Sequence, residues 1–206
     1  MKANKQNFII RWFLQTYTRW AVGRHFHDLV FEPVAIDPNK SVLLIANHFS
    51  YWDSLILFVV SRSSIKKKFH VMVREDTTIA LRFVRYGGAF SVKKGSRDLV
   101  NTLNYATALL KDPQNMVLIF PQGKLHANFV DQISFEKGIG RIMDAAAGDF
   151  QLIFAATFVQ YLRHKKPTAT VYLQNNAGGQ ISWDELQSKY QNFYTIKKAE
   201  QNAIVI

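Results

Sequence analysis

The chain has 206 residues, 48% of them hydrophobic and 20% charged, enough for one domain with a sizeable core, cramped for two, and too apolar for a disordered chain. It contains no cysteine, which excludes disulfides, thiolate metal sites and a cysteine nucleophile. With 26 basic and 15 acidic residues the net charge is +11, a balance that favours an anionic partner: nucleic acid, anionic lipid, or a phosphorylated or CoA-linked substrate.

Residues 5–30 read as helical, with Phe8, Ile9, Trp12, Phe13, Tyr17 and Trp20 at helical spacing among Lys2, Lys5, Arg11, Arg19 and Arg24. A basic, aromatic-rich amphipathic helix suits a bilayer interface, rings at the headgroup level and cations on anionic lipid. It equally suits packing on the domain, and both hold if each takes one face. The 14% aromatic content, with 16 Phe and 4 Trp, tilts the choice of partner toward an apolar ligand or a bilayer.

Turns at Glu32-Pro33 and Asp37-Pro38-Asn39 precede the apolar run 42–46, which reads as a buried strand. A helix follows over 53–60, a basic connection over 65–68, a strand over 69–73, and a short helix over 78–84 ended by Tyr86-Gly87-Gly88. Residues 89–92 form a short strand. Ser96 caps a helix over 97–111 whose stripe is Leu99, Val100, Leu103 and Leu110, and Asp112-Pro113 stops it. A strand over 116–120 breaks at Pro121-Gln122-Gly123. A helix is expected over 135–147, strands over 152–159 and 168–173, and a final helix from the capping box Ser182-Trp183-Asp184-Glu185 to about residue 190. Strands alternate with helices, so the expected class is α/β: a single domain over 31–206 with a mixed, largely parallel sheet flanked by helices, preceded by the N-terminal amphipathic segment 1–30.

No apolar run reaches the ~18 to 20 residues of a membrane span. The longest candidate, 41–61, is broken by Asn47, His48 and Asp53. Arg11 and Arg19 interrupt the N-terminal apolar stretch and no small-residue cleavage site follows, which argues against a signal peptide. The expected location is the cytoplasmic side of a membrane, peripheral or monotopic.

Four segments carry chemistry. In Asn47-His48-Phe49-Ser50-Tyr51-Trp52-Asp53, a histidine and an aspartate stand five apart, straight after the first buried strand. Groups at the end of a central strand face a crevice. There an imidazole takes a proton from a hydroxyl, and a nearby carboxylate fixes its tautomer. In isolation the pair also fits a capped helix start with a chance histidine. The second segment is Gly87-Gly88-Ala89-Phe90-Ser91-Val92-Lys93-Lys94, glycines that permit close backbone approach before two cations, or else a plain turn with solvated lysines. The third, Phe120-Pro121-Gln122-Gly123-Lys124-Leu125, is a strand running into a Pro-x-Gly loop. The fourth is Phe135-Glu136-Lys137-Gly138, where glycine permits close helix packing.

Taken together, order and spacing resemble the PlsC-type glycerolipid acyltransferases, the lysophospholipid acyltransferase superfamily. Residues 46–54 are similar to that family's NHxSxxD block, 88–94 to its second block, 120–125 to FPEGTR, and 135–138 to the F-K-x-G stretch, within a span of about 30–175. The resemblance implies His48 as general base and Asp53 as its orienting partner. It implies substrate contacts from Asn47, Gly88, Phe90, Lys93, Lys94, Gln122, Gly123 and Lys124, with no metal. The reaction it implies moves a fatty acyl group from acyl-CoA or acyl-carrier protein, a co-substrate in place of a cofactor, to the hydroxyl of a lipid acceptor on an anionic membrane. Gln122, Lys124 and Leu125 stand where the family has Glu, Thr and Arg, and lysine replaces the second block's arginine. Lysine lacks the bidentate fork and leucine has no charge, so a phosphate-bearing acceptor and another hydroxylated lipid both remain open. The rival reading is a non-catalytic lipid-binding protein on the same fold. Nucleic acid is not expected, since only the net charge suggests it, and the absence of GxSxG disfavours a serine hydrolase.

Overall fold

The computed structural model describes residues 8–74, 86–92, 97–136, 142, 150–176 and 181–206. The expected helix over 78–84, nearly all of that over 135–147, and Lys93, Lys94 and Gly138 lie outside them. Within the described residues four α-helices surround one seven-stranded sheet. In chain order the elements are α1 (Phe8–His25), β1 (Asp28–Phe31), β2 (Ser41–Ala46), α2 (Trp52–Val60), β3 (Lys68–Arg74), β4 (Ala89–Val92), α3 (Arg97–Leu110), β5 (Asn115–Ile119), β6 (Phe150–Gln160), β7 (Thr168–Asn176) and α4 (Trp183–Asn202).

The strands lie in the order β1-β7-β6-β2-β5-β3-β4. Every pairing is parallel except β6 with β7, which are joined by a hairpin. β2 sits between β5 and β6 and is buried along its whole length. Both faces of such a strand are covered, which is why its sequence is continuously apolar rather than alternating. Side-chain alternation divides it between two cores. Leu43 and Ile45 pack with Leu103, Leu110 and Tyr190 beneath α3 and α4. Val42, Leu44 and Ala46 pack with Val22, Ile56 and Leu57 beneath α1 and α2. Each buried valine, leucine or isoleucine among them contributes about 1.5–3 kcal/mol of burial free energy.

Two elements depart from expectation. Helix α1 ends at His25, and residues 28–30, expected to be helical, instead belong to β1 (Asp28–Phe31). The open edge of β7 offers backbone partners from Asp28↔Thr168 to Phe31↔Val171, and the His27 N–H joins them by donating to the Pro167 carbonyl at 2.8 Å. That long-range pairing outweighs continuation of the helix. Helix α4 begins at the expected Ser182 cap, whose hydroxyl accepts from the Glu185 N–H, but runs to Asn202 rather than to about 190. Leu186, Tyr190, Phe193, Tyr194 and Gln201 keep one face buried over that length, while Glu185–Lys189 and Lys197–Glu200 ion pairs line the wet face.

Gly88 explains its pair of glycines. It holds φ +110°, and a Cβ there would lie 2.0 Å from the Phe69 carbonyl oxygen, while its own carbonyl accepts from the Val71 N–H at 3.2 Å. The close approach is to the neighbouring strand β3. Gly88→Ala should therefore lower stability by about 3 kcal/mol or more, read as a drop in the urea midpoint with an unchanged slope.

Candidate active site

The five strands β6, β2, β5, β3 and β4 run in one direction, so their carboxyl ends lie together at one end of the sheet. A crevice at that end is the usual ligand position in open α/β sheets. Residue 47 leaves β2 there. The Asn47 side chain bridges to β6: its Nδ2 donates to the Thr157 carbonyl at 2.9 Å and its Oδ1 accepts from the Thr157 N–H at 2.8 Å. Both groups are buried, and this double bond fixes the start of the loop that carries His48. Asn47 was expected at the substrate; its side chain is occupied in this brace.

His48 and Asp53 meet. His48 Nδ1 lies 2.7 Å from Asp53 Oδ2, with the imidazole 22% exposed and the carboxylate fully buried. The same oxygen accepts from the Phe49 N–H at 2.7 Å and the Ser50 N–H at 2.9 Å. Asp53 stands in the first turn of α2, where negative charge is favoured, and the Ser50 hydroxyl accepts from the Trp52 N–H at 3.0 Å. Burial raises the Asp53 carboxyl above its ordinary range, and the bonds from His48, Ser50 and Phe49 oppose that rise. A carboxylate only accepts, so Nδ1 carries a proton, and in the neutral imidazole Nε2 is the atom with the lone pair. Nε2 makes no hydrogen bond among the described residues. The face of the imidazole stacks on Phe120 with ring centres 4.1 Å apart.

The third segment wraps the other side of His48. The Phe120 carbonyl accepts from the Gly123 N–H at 3.2 Å, closing a tight turn after β5. Gly123 holds φ +64°, and a Cβ there would come within 2.9 Å of Glu136 Cγ. Gln122 is buried, and its Oε1 accepts from the His48 backbone N–H at 2.7 Å. The His126 N–H in turn donates to the His48 carbonyl at 3.0 Å. The peptide groups of His48 are thus clamped on both sides by one loop. Lys124 and Leu125 are exposed within it. From the fourth segment, the Glu136 N–H donates to the Pro121 carbonyl at 2.7 Å and supports the same turn.

Asn47, His48, Asp53, Gln122, Gly123 and Lys124 are therefore brought together. Gly88 and Phe90 are not among them. They belong to the sheet edge at β4, three strands from β2, and Phe90 is fully buried against Tyr105 with ring centres 5.3 Å apart. Sequence reasoning did not find Thr157, which anchors Asn47 through its backbone and so leaves no side-chain signal, nor the stacking role of Phe120. A groove of about 400 Å³ lies elsewhere, between β1, β7 and the end of α4. Several of its polar groups bond one another, Lys197 with Glu200, Tyr172 with Gln201 and Gln201 with Gln160.

Comparison with known proteins agrees with this geometry. The family model described as Acyltransferase matches residues 29–160, more than half of the chain and inclusive of every one of these site residues. A solved structure titled 1-acyl-sn-glycerophosphate (LPA) acyltransferase, PlsC, from Thermotoga maritima superposes with a TM-score of 0.67 at 15% identity, covering 94% of this chain and 80% of that one. No curated protein matches in sequence. The fold is that of PlsC, and the chain belongs to the acyltransferase family.

Proposed function

We propose that the protein is a membrane-associated O-acyltransferase that moves a fatty acyl group from acyl-CoA or acyl-carrier protein to the hydroxyl of a lysolipid or related lipid. The 2.7 Å contact between His48 Nδ1 and Asp53 Oδ2 carries this reading. It leaves Nε2 as the basic atom on the open side of the ring. Nε2 takes the acceptor's proton as its oxygen attacks the thioester carbonyl carbon, and Asp53 stabilises the resulting imidazolium. The tetrahedral intermediate then collapses with cleavage of the C–S bond, and the imidazolium returns the proton to the leaving thiolate. The acceptor oxygen is the nucleophile, so Ser50 is left to accept from the Trp52 N–H at the start of α2.

The membrane part of the reading rests on α1. Thr18, Ala21 and Val22 are buried toward the domain. The opposite side presents Ile9, Trp12, Phe13, Tyr17 and Trp20 to solvent, with the two tryptophans each 60% exposed. Monomeric proteins rarely leave so contiguous an apolar stripe uncovered. An interfacial helix fits it, with Arg19 and Arg24 on anionic headgroups. No helix among the described residues is long and apolar enough to cross a membrane. The cytoplasmic side suits both donors.

His48→Ala should lower acyl transfer from labelled acyl-CoA to a lysolipid by about 10³-fold while circular dichroism stays unchanged. Parent-level turnover in that variant would leave a non-catalytic lipid-binding role. Asp53→Asn should cut turnover comparably and also change the pH dependence of stability. With its carboxyl raised on folding, the folded chain keeps this proton to higher pH than the unfolded chain. Its contribution to stability therefore falls as pH rises from the ordinary carboxyl range to the raised value, and the variant should lose that decline in urea titrations across the window. Replacing Trp12, Phe13 and Trp20 with serine should weaken co-sedimentation with vesicles containing phosphatidylglycerol, and equal binding would confine α1 to a structural role.

A further inference from the structure

The β6–β7 hairpin has a feature that the acyl-transfer chemistry does not use. Its loop, Tyr161-Leu162-Arg163-His164-Lys165-Lys166-Pro167, holds three cations and no acid. Tyr161 is 61% and Leu162 42% exposed. Leu162 adopts φ +47°, a conformation that a bulky residue rarely takes, so the turn holds an apolar side chain outward at a cost to the backbone.

The loop is placed by the sheet. Ala46, the last residue of β2, pairs with Ala155, and β6 continues to Gln160. The hairpin therefore projects past the end of β2, by roughly 16 Å along the strand at ~3.3 Å per residue. It does so at the end of the sheet that carries His48. It is also tied to the α1–β1 junction: the Pro167 carbonyl accepts from the His27 N–H at 2.8 Å, and the His164 and His27 rings stack with centres 3.5 Å apart. The other end of that junction touches the catalytic helix, since His25 and Phe26 pack on Trp52 at 5.0 and 5.2 Å. The end of α1, the start of α2 and the hairpin loop are thus joined by direct contacts.

We infer that the tip of the β6–β7 hairpin is a second contact with an anionic bilayer, Tyr161 and Leu162 entering the interface while Arg163, Lys165 and Lys166 meet the phosphates. The inference extends the membrane reading of α1 and rests on it. Charge complementarity supports this occupant: cations flanking exposed apolar side chains are the composition of an interfacial anchor, in which burial and headgroup attraction add. Contacts from two separate segments also resist rotation about α1, which a single helix lying in the interface leaves free. They would hold the carboxyl end of the sheet, and His48 with it, at the lipid surface.

The absence of cysteine makes a direct test available. Leu162→Cys and, separately, Trp12→Cys each accept one environment-sensitive fluorophore. Both are titrated with vesicles of phosphatidylcholine plus phosphatidylglycerol, and with phosphatidylcholine alone. Blue shifts at both positions, stronger with the anionic vesicles, are expected. The unlabelled Tyr161→Ser/Leu162→Ser variant should bind anionic vesicles about tenfold more weakly, the effect of losing roughly 1.4 kcal/mol of interfacial burial. A shift at position 12 with none at 162 overturns the second contact and leaves the membrane reading of α1 standing. No shift at either position overturns both. A shift at 162 with acyl-carrier protein but not with vesicles assigns the loop to the donor and overturns the bilayer assignment.

Discussion

A single buried oxygen organises the site. Asp53 Oδ2 accepts from His48 Nδ1, the Phe49 N–H and the Ser50 N–H, so one atom fixes the imidazole, folds the loop that carries it and starts α2. Burying a carboxylate is unfavourable unless donors surround it, and the raised Asp53 carboxyl records that cost. Its other oxygen, Oδ1, is buried without a partner. On the proposed mechanism the Asp53 carboxylate stabilises the imidazolium, so stability is given up there for chemistry.

The parallel sheet makes that oxygen useful. Since β2, β5 and β6 run the same way, the loop after β2, the turn after β5 and the last residues of β6 converge without long excursions. The brace from Asn47 to Thr157 ties β2 to β6, and the clamp from Gln122 and His126 ties β2 to the segment after β5. His48 is therefore held through its own peptide groups as well as through its ring. Preorganisation of this kind reduces the reorganisation left to the transition state.

Much of this was legible in the sequence where local pattern and tertiary context agree. The run 42–46 is apolar throughout because both faces of β2 are covered. His48 and Asp53 are five apart because the short loop after β2 runs straight into the first turn of α2, where the carboxylate stands. The misplaced elements have separate causes. Residues 28–31 pair with β7, a partner about 140 residues away that no local pattern encodes. The last turns of α4 carry Lys197, Lys198, Glu200 and Gln201, whose polarity hides the periodicity of Phe193, Tyr194 and the buried Gln201. Phe90 and Gly88 stood in a block associated with substrate, yet in the fold they close the sheet edge. Asn47 likewise spends its side chain on the backbone of Thr157, and a backbone partner leaves no trace in sequence.

The same distinction separates the changes in the third block. Where the resemblance puts a glutamate, Gln122 still supplies what the fold requires, an acceptor for the His48 N–H, and it does so without placing another negative charge beside Asp53. Acceptor geometry is conserved while charge is not, so the clamp survives the substitution. Lys124 and Leu125 have no comparable structural duty: both are exposed beyond the Gly123 turn, Leu125 by 55%, on the loop whose His126 N–H bonds the His48 carbonyl. An exposed leucine there offers an acceptor apolar surface in place of a guanidinium, and Lys124 supplies a point charge without a bidentate fork. The block thus divides at Gly123, into a half that holds the His48 backbone and a half that is exposed. On the proposed mechanism, divergence in the second half would bear on the acceptor and leave the contact between His48 and Asp53 in place.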